Sequence, residues 1–408
     1  MHLNILEKLG QTNPECEIWW DSSPLVYANW KESMLKSAPE SKREIWGEQL
    51  NRLFDPTGNG EMFFRGVTTN PPLSLNVIKD DPSYWRGRIQ EIIAEHPGQS
   101  VEEIFWVTYQ EILRRGADMI RHVWEKSKGK YGYVSGQVDP RYVTDKDKMI
   151  SQALQIAALA PNMMIKIPGS KEGYEVIEFL TSKGIATNNT TSFSVPQYLR
   201  CMEAVSDGLK TAKKNGVDLS RWRSVITHMS ARFGSLGDFK AQAEARGITL
   251  TAEDVLWAEL AIMKRAYKYG KEKNHPSKML MCSMRVRSDL PGGKAKSWHI
   301  EKLAGGDFVY TCPPGYIAQL MRIEDQLDEF DPNTINEEPP PETLEMLMKL
   351  PYFRQSYEFD GMQPEEFSRY APFIATAAEF AAATRGTVDF VAQQFEMRKV
   401  GQSFVSKR

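Results

Sequence analysis

The chain has 408 residues and a mass of 46.5 kDa, beyond the roughly 250–300 residues at which a single core usually stops growing, so two or three domains or one large barrel with additions are allowed. Hydrophobic residues make up 41% and charged residues 25%, ordinary globular usage that excludes extensive disorder. With 51 Lys and Arg against 53 Asp and Glu the formal charge is −2, which gives no global electrostatic reason to bind nucleic acid or an acidic membrane.

Eight short apolar or β-branched segments recur along the chain, and they are expected as strands at 18–20, 66–69, 133–138, 163–167, 185–190, 224–229, 279–284 and 308–311. The run Met163-Met164-Ile165-Lys166-Ile167-Pro168 has the near-continuous apolar character of a strand covered on both faces, as in a parallel sheet. Between the strands lie amphipathic stretches at 101–126, 145–160, 173–183, 195–215 and 252–271. This alternation points to a (β/α)8 TIM barrel, with an open doubly wound sheet as the competing arrangement. A polar, aromatic-bearing insertion covers about residues 30–62. It ends in Asp55-Pro56-Thr57-Gly58-Asn59-Gly60, which has the outline of a calcium-binding loop, but the twelfth ligand position holds Gly66 instead of Glu. A surface turn is expected there.

The stretch Glu337-Glu338-Pro339-Pro340-Pro341-Glu342 reads as an exposed linker. The expected division is a catalytic barrel over 1–335 and a helical extension over 336–408, with helices at 367–380 and 388–397. Cys16, Cys201, Cys282 and Cys312 lie far apart with no CxxC pair, too sparse for a disulfide framework. Acids and polar residues appear too early for a signal peptide, and no apolar run is long enough to span a membrane. A cytoplasmic protein is expected.

Lys166 is the most informative residue. A lone lysine within an apolar strand loses solvation, which lowers its pKa and frees the amine as a nucleophile of the kind Schiff-base chemistry requires; the structural alternative is a snorkelling or ion-paired lysine. Polar groups stand at or near the ends of other strands: Asp21, Asn70, Gln137, Asn188, Thr190, Thr227, Arg232 and Arg285. In a (β/α)8 barrel such ends converge on one site. A lysine with an acid, amides, hydroxyls and two arginines suits a phosphorylated carbonyl substrate.

Five ordered segments carry a family resemblance: Gly66-Val67-Thr68-Thr69-Asn70-Pro71, Val134-Ser135-Gly136-Gln137-Val138-Asp139-Pro140-Arg141, Met164-Ile165-Lys166-Ile167-Pro168, Gly184-Ile185-Ala186-Thr187-Asn188-Asn189-Thr190-Thr191-Ser192-Phe193-Ser194 and Ser283-Met284-Arg285. With Trp19-Trp20-Asp21 at the start, and Tyr357-Glu358-Phe359-Asp360-Gly361-Met362 near the end, the chain resembles the transaldolases and their class I aldolase relatives, including the fructose 6-phosphate aldolases. The resemblance implies that Lys166 forms the Schiff base with a ketose and that Asp21 moves the proton of the C4 hydroxyl. It implies that Asn70 and Asn188 bind the dihydroxyacetone part, that Thr190 positions a water, and that Arg232 and Arg285 hold phosphate. The partner is then a small sugar phosphate, with no nucleic acid or membrane, and many relatives form homodimers. No cofactor is needed, because a protonated imine does the work of a metal.

Two departures qualify this. Gln137 stands where transaldolases carry glutamate, as it does in fructose 6-phosphate aldolases, and an amide can orient water but cannot act as a base. Ile226-Thr227-His228-Met229-Ser230-Ala231-Arg232 replaces the usual Ile-Ser-Pro-Phe-Val-Gly-Arg: Thr227 keeps the hydroxyl, Met229 replaces an aromatic, and His228 brings a titratable ring. Three functions stay open: transfer of a dihydroxyacetone unit, aldol cleavage or formation of a non-standard sugar, and a degenerate barrel that binds sugar phosphate. His228 is read as a substrate contact or a structural histidine, and His299 as structural or exposed. The remaining histidines lack metal-ligand spacing. Gly169-Ser170-Lys171-Glu172-Gly173 is a turn before a helix, lacking phosphate-loop spacing. Arg221-Trp222-Arg223 and Arg285-Val286-Arg287 are a solvated face or a phosphate clamp, and the 18 methionines and 10 tryptophans fill core gaps.

Overall fold

A computed structural model describes residues 2–55, 57, 62–290 and 292–405, with side chains through 398. Each expected apolar segment forms a strand: β1 (Glu17–Trp20), β2 (Gly66–Thr68), β3 (Tyr133–Gln137), β4 (Met163–Pro168), β5 (Thr187–Thr190), β6 (Ser224–Met229), β7 (Lys278–Cys282) and β8 (Val309–Cys312). All pairings are parallel, and β8 returns to β1, closing an eight-stranded barrel in chain order. The helices between strands put this chain in the (β/α)8 class.

Helix starts follow local chemistry. Ser100 and Glu103 form a capping box at the head of Val101–Lys126, and Thr251 and Asp254 do the same for Ala252–Glu272. Each box satisfies two amides that the first turn would leave without partners. Ser170 caps Lys171–Ser182 through Gly173 N–H at 3.0 Å, so the glycine-flanked segment is the strand-to-helix turn that its spacing indicated. The Val101–Lys126 helix buries Ile104, Tyr109, Ile112, Leu113 and Ile120 along one stripe against the barrel.

The barrel interior is filled by matching large and small side chains. Trp19 lies at 0% exposure, and a Cβ at Gly66 would come within 2.5 Å of its indole, so that position takes only glycine without displacing the ring. Overpacking of this kind costs about 1–3 kcal/mol. The insertion after β1 holds two helices, Tyr27–Lys36 and Glu40–Leu53, and its final turn at 56 and 58–61 lies outside the described residues, as does most of the calcium-like loop.

Beyond residue 340 come Pro341–Met348, Pro351–Tyr357 and one long helix, Ala371–Val405. The long helix replaces the two shorter helices expected at 367–380 and 388–397. It touches the helix Pro71–Asp80 after β2, the turn Pro140–Tyr142 after β3 and the helix Ser230–Leu236 after β6. It therefore lies across the end of the barrel where the strands terminate.

Candidate active site

Side chains of in-register neighbours on adjacent parallel strands share a side of the sheet, and alternate residues change side. Thr68 pairs with Ser135, Gln137 with Lys166, and Lys166 with Asn188. The same alternation carries Thr190, Thr227, Met229, Cys282 and Thr311 to that side, and two bonds establish that it is the interior. Asn188 Nδ2 on β5 donates to Ser135 Oγ on β3 at 3.0 Å, over β4. Thr68 Oγ1 on β2 lies 2.5 Å from Thr311 Oγ1 on β8, over β1. The sequence-predicted Gln137, Lys166, Asn188, Thr190 and Thr227 thus share one lumen, with Asp21 one residue past β1.

Lys166 is 5% exposed and donates from Nζ to the Thr69 carbonyl at 3.1 Å. Burial drives its pKa below the ordinary lysine value; the attraction of Asp21 only partly opposes this. Asp21 is held above the ordinary carboxylate value by burial, opposed by Lys166, by the hydrogen bond from Thr68 Oγ1 at 2.6 Å and by Arg232. The pair is a base that holds protons more strongly than usual beside an amine that holds them less strongly. Proton exchange and nucleophilic attack both gain from that arrangement. Cys282, electrostatically coupled to both, is pushed up to about 11 by burial and stays a thiol.

Gln137 Oε1 and Thr190 Oγ1 are buried without a hydrogen-bond partner. Such groups cost stability; the amide oxygen is left free to accept and the hydroxyl to donate or accept. Tyr109 OH fixes the Gln137 backbone, donating to its carbonyl at 2.8 Å. The site-ward ends of β5 and β7 run into Thr191 at φ 54° and Ser283 at φ 60°, left-handed conformations that cost energy for any residue with a side chain.

The remaining predicted residues are placed differently from one another. Asn188 Oδ1 accepts from Thr227 Oγ1 at 2.8 Å, so its amide is clamped at both ends. Asn70 caps the helix Pro71–Asp80, its Oδ1 accepting from Leu73 N–H at 2.9 Å while Nδ2 keeps the donors. Arg232, in the first turn of Ser230–Leu236, is engaged by Glu379 at 2.6 and 2.8 Å. Arg285 follows β7; its N–H donates to His299 Nδ1 at 3.1 Å, and its side chain lines a cavity of about 570 Å³ with Arg287 and Lys240. Arg232 is not among the residues lining that cavity.

The family described as Transaldolase/Fructose-6-phosphate aldolase matches residues 58–362. The chain belongs to that family. A transaldolase of Saccharopolyspora erythraea is 28% identical over 312 residues, 72% of this chain and 82% of that protein. Transaldolase 2 of Streptomyces coelicolor is 32% identical over 225 residues, 52% of this chain and 60% of that one. A transaldolase of Mycolicibacterium paratuberculosis is 34% identical over 195 residues, 46% and 52% of the two chains. The last two matches span little more than half of those relatives. The chain is a transaldolase-type transferase with class I aldolase affinities.

Within this transaldolase-type barrel several sequence readings resolve. His228 points outward: its Nε2 donates to the Glu259 carbonyl at 3.0 Å, so Nδ1 accepts from Tyr198 OH at 2.5 Å. Burial pushes its pKa down to about 3. It is a structural histidine, because β6 alternation gives the lumen to Thr227 and Met229. His299 is fully buried, Nε2 donating to Glu259 Oε2 at 2.7 Å while Nδ1 holds the Arg285 amide. Arg223 pairs with Glu17 and Arg287 with Asp289, uses that their sequence clusters did not indicate. All four cysteines are free. Among the described residues no group of three or more His, Cys, Asp or Glu could hold a metal ion, and no helix is long and apolar enough to cross a membrane. Sequence reasoning missed Thr68, Ser135 and Cys282, which strand alternation alone would have put in the lumen beside Gln137 and Lys166. It also missed Glu379, which no local pattern marks.

Proposed function

We propose that this enzyme transfers a dihydroxyacetone unit from a phosphorylated ketose to an aldehyde, with Lys166 as the Schiff-base nucleophile and Asp21 as the proton carrier. The observation that carries the reading is the desolvated Lys166 amine coupled to a proton-retaining Asp21 in a lumen of amides and hydroxyls. Neutral Lys166 adds to the ketose carbonyl, and loss of water leaves the imine. Asp21 then removes the proton of the C4 hydroxyl, the C3–C4 bond breaks, and its electron pair moves into the protonated imine to give an enamine. The shortened aldehyde departs. An acceptor aldehyde takes the enamine carbon, Asp21 returns its proton to the new alkoxide, and water releases the product ketose.

Asn188 and Asn70 would bind the hydroxyls of the three-carbon unit. Gln137 and Thr190, each with a buried unpaired oxygen, would orient the water lost and regained at the imine. Arg232 and Arg285 would meet the phosphate. Residues 1–335 then serve as the catalytic barrel and 336–408 as an extension closing it, and four free thiols fit a cytoplasmic setting.

A second reading has support in Gln137. An amide at this position is what the resemblance gives for the fructose 6-phosphate aldolases, and it favours aldol cleavage with release of free dihydroxyacetone. Product analysis with fructose 6-phosphate separates the two. Transfer predicts little aldehyde release until an acceptor such as erythrose 4-phosphate is added. Steady acceptor-independent release of dihydroxyacetone would establish cleavage, and no turnover with a panel of ketoses would leave a binding barrel.

A further inference from the structure

Arg232 already has an anion. Both oxygens of the Glu379 carboxylate bond its guanidinium, at 2.6 and 2.8 Å, in the bidentate fork that a phosphate would also use. The guanidinium also packs 5.5 Å from the ring of Phe380. Glu379 sits on the Ala371–Val405 helix, which crosses the barrel end: Thr376 and Glu379 meet Arg232 beyond β6, while Thr384 and Thr387 border Gln137 and Pro71 beyond β2 and β3. The Arg232 side chain is 19% exposed and that of Glu379 is 52% exposed. The carboxylate is thus the partner that can swing into water, leaving the arginine in place.

We infer that Glu379 is a specificity-determining residue: its carboxylate occupies Arg232 in the free enzyme, must be displaced by the substrate's phosphate, and couples phosphate binding to the seating of the helix over the lumen. This rests on the reading of Arg232 as a phosphate ligand. A ketose without phosphate cannot break the pair, so the enzyme discriminates by an exchange of anions on one arginine. The exchange lowers affinity for the correct substrate by the strength of the pair it breaks.

The test compares wild type with Glu379→Gln, and with Ile374→Ala, an exposed position on the same helix, as a control. In Glu379→Gln the KM for fructose 6-phosphate should fall on the order of tenfold, about the worth of one charge-assisted hydrogen bond, while the KM for fructose stays put. Inorganic phosphate should stabilise this variant against heat at about tenfold lower concentration, a readout that needs no turnover. In the wild type, phosphate should speed proteolysis within 371–398. Ile374→Ala should leave all three unchanged. An unchanged phosphate dependence in Glu379→Gln, or an equal loss with both sugars, would overturn the inference and make the pair a fixed clamp. A protein that binds phosphate as described but never forms an imine on Lys166 would keep the anion exchange and defeat the transferase reading instead.

Discussion

β1 and the residue after it place an acid at each end of the barrel, four residues apart on the same inward side, and the two are treated in opposite ways. Glu17, at the end where the strands begin, accepts from Arg223, from Lys278 at 2.9 Å and from Trp19 Nε1 at 3.0 Å. Burial favours its neutral form, yet the two cations outweigh burial and hold its pKa below the ordinary glutamate value. Asp21, at the other end, has one hydroxyl donor and a lysine that is itself desolvated, and burial prevails. The unpaired oxygens of Gln137 and Thr190 and the left-handed Thr191 and Ser283 also lie at that end. One kind of group, a carboxylate, is thus held as a compensated ion pair at one end of the barrel and left uncompensated at the other, the state the proposed chemistry calls for.

Asp21→Asn tests the uncompensated end and has the largest expected effect. kcat should fall by about 10²- to 10⁴-fold, the usual contribution of a general base, while the protein folds and still forms an imine. Full activity in the variant would remove Asp21 from the reaction. Glu17→Ala tests the compensated end. It leaves Arg223 and Lys278 without their anion, and because both side chains keep a little exposure (14% and 13%) the loss should sit near 3 kcal/mol, the low end for a broken buried pair. Urea unfolding measures it, and kcat of the folded enzyme should not change. A catalytic defect with normal stability would reverse the roles assigned to the two ends.

pH sharpens the same contrast with a smaller effect. Imine formation needs the neutral amine, so its rate should rise with pH and level off at a lower pH than for an ordinary lysine, since burial lowers Lys166. The Asp21 charge opposes that lowering, so its removal in Asp21→Asn should move the profile to still lower pH. An unshifted profile would mean that Asp21 carries no charge where Lys166 reacts. Lys171, exposed and paired with Glu365, has its pKa raised and offers the reference for an amine outside the lumen.

The strands were legible because a parallel strand is buried on both faces and needs an apolar run whatever its neighbours. Lys166 stood out for a related reason, as a lone charge inside an apolar run, whereas Asp21 was marked by its place at a strand end and by the family resemblance. The two helices Pro71–Asp80 and Pro82–Glu95 carry prolines and charges that weakened their pattern, although Asn70 and Asp81 cap them. The Ala371–Val405 helix was split because Thr384, Gly386 and Thr387 interrupt its apolar periodicity. Those small residues sit where the helix lies down on the barrel; a Cβ on Gly386 would be 3.1 Å from Leu75. Tertiary packing there overrides propensity. Glu379 was illegible because its meaning depends on Arg232, 147 residues away.

The central claim is that Lys166 is the nucleophile, and imine trapping tests it most directly. The protein is incubated with fructose 6-phosphate, reduced with borohydride, and read by intact mass and peptide mapping beside Lys166→Met. An adduct is expected on Lys166 alone, of dihydroxyacetone size once the aldehyde has left, and none in the variant. An adduct that persists in Lys166→Met, or no adduct with any ketose of a panel, would contradict it.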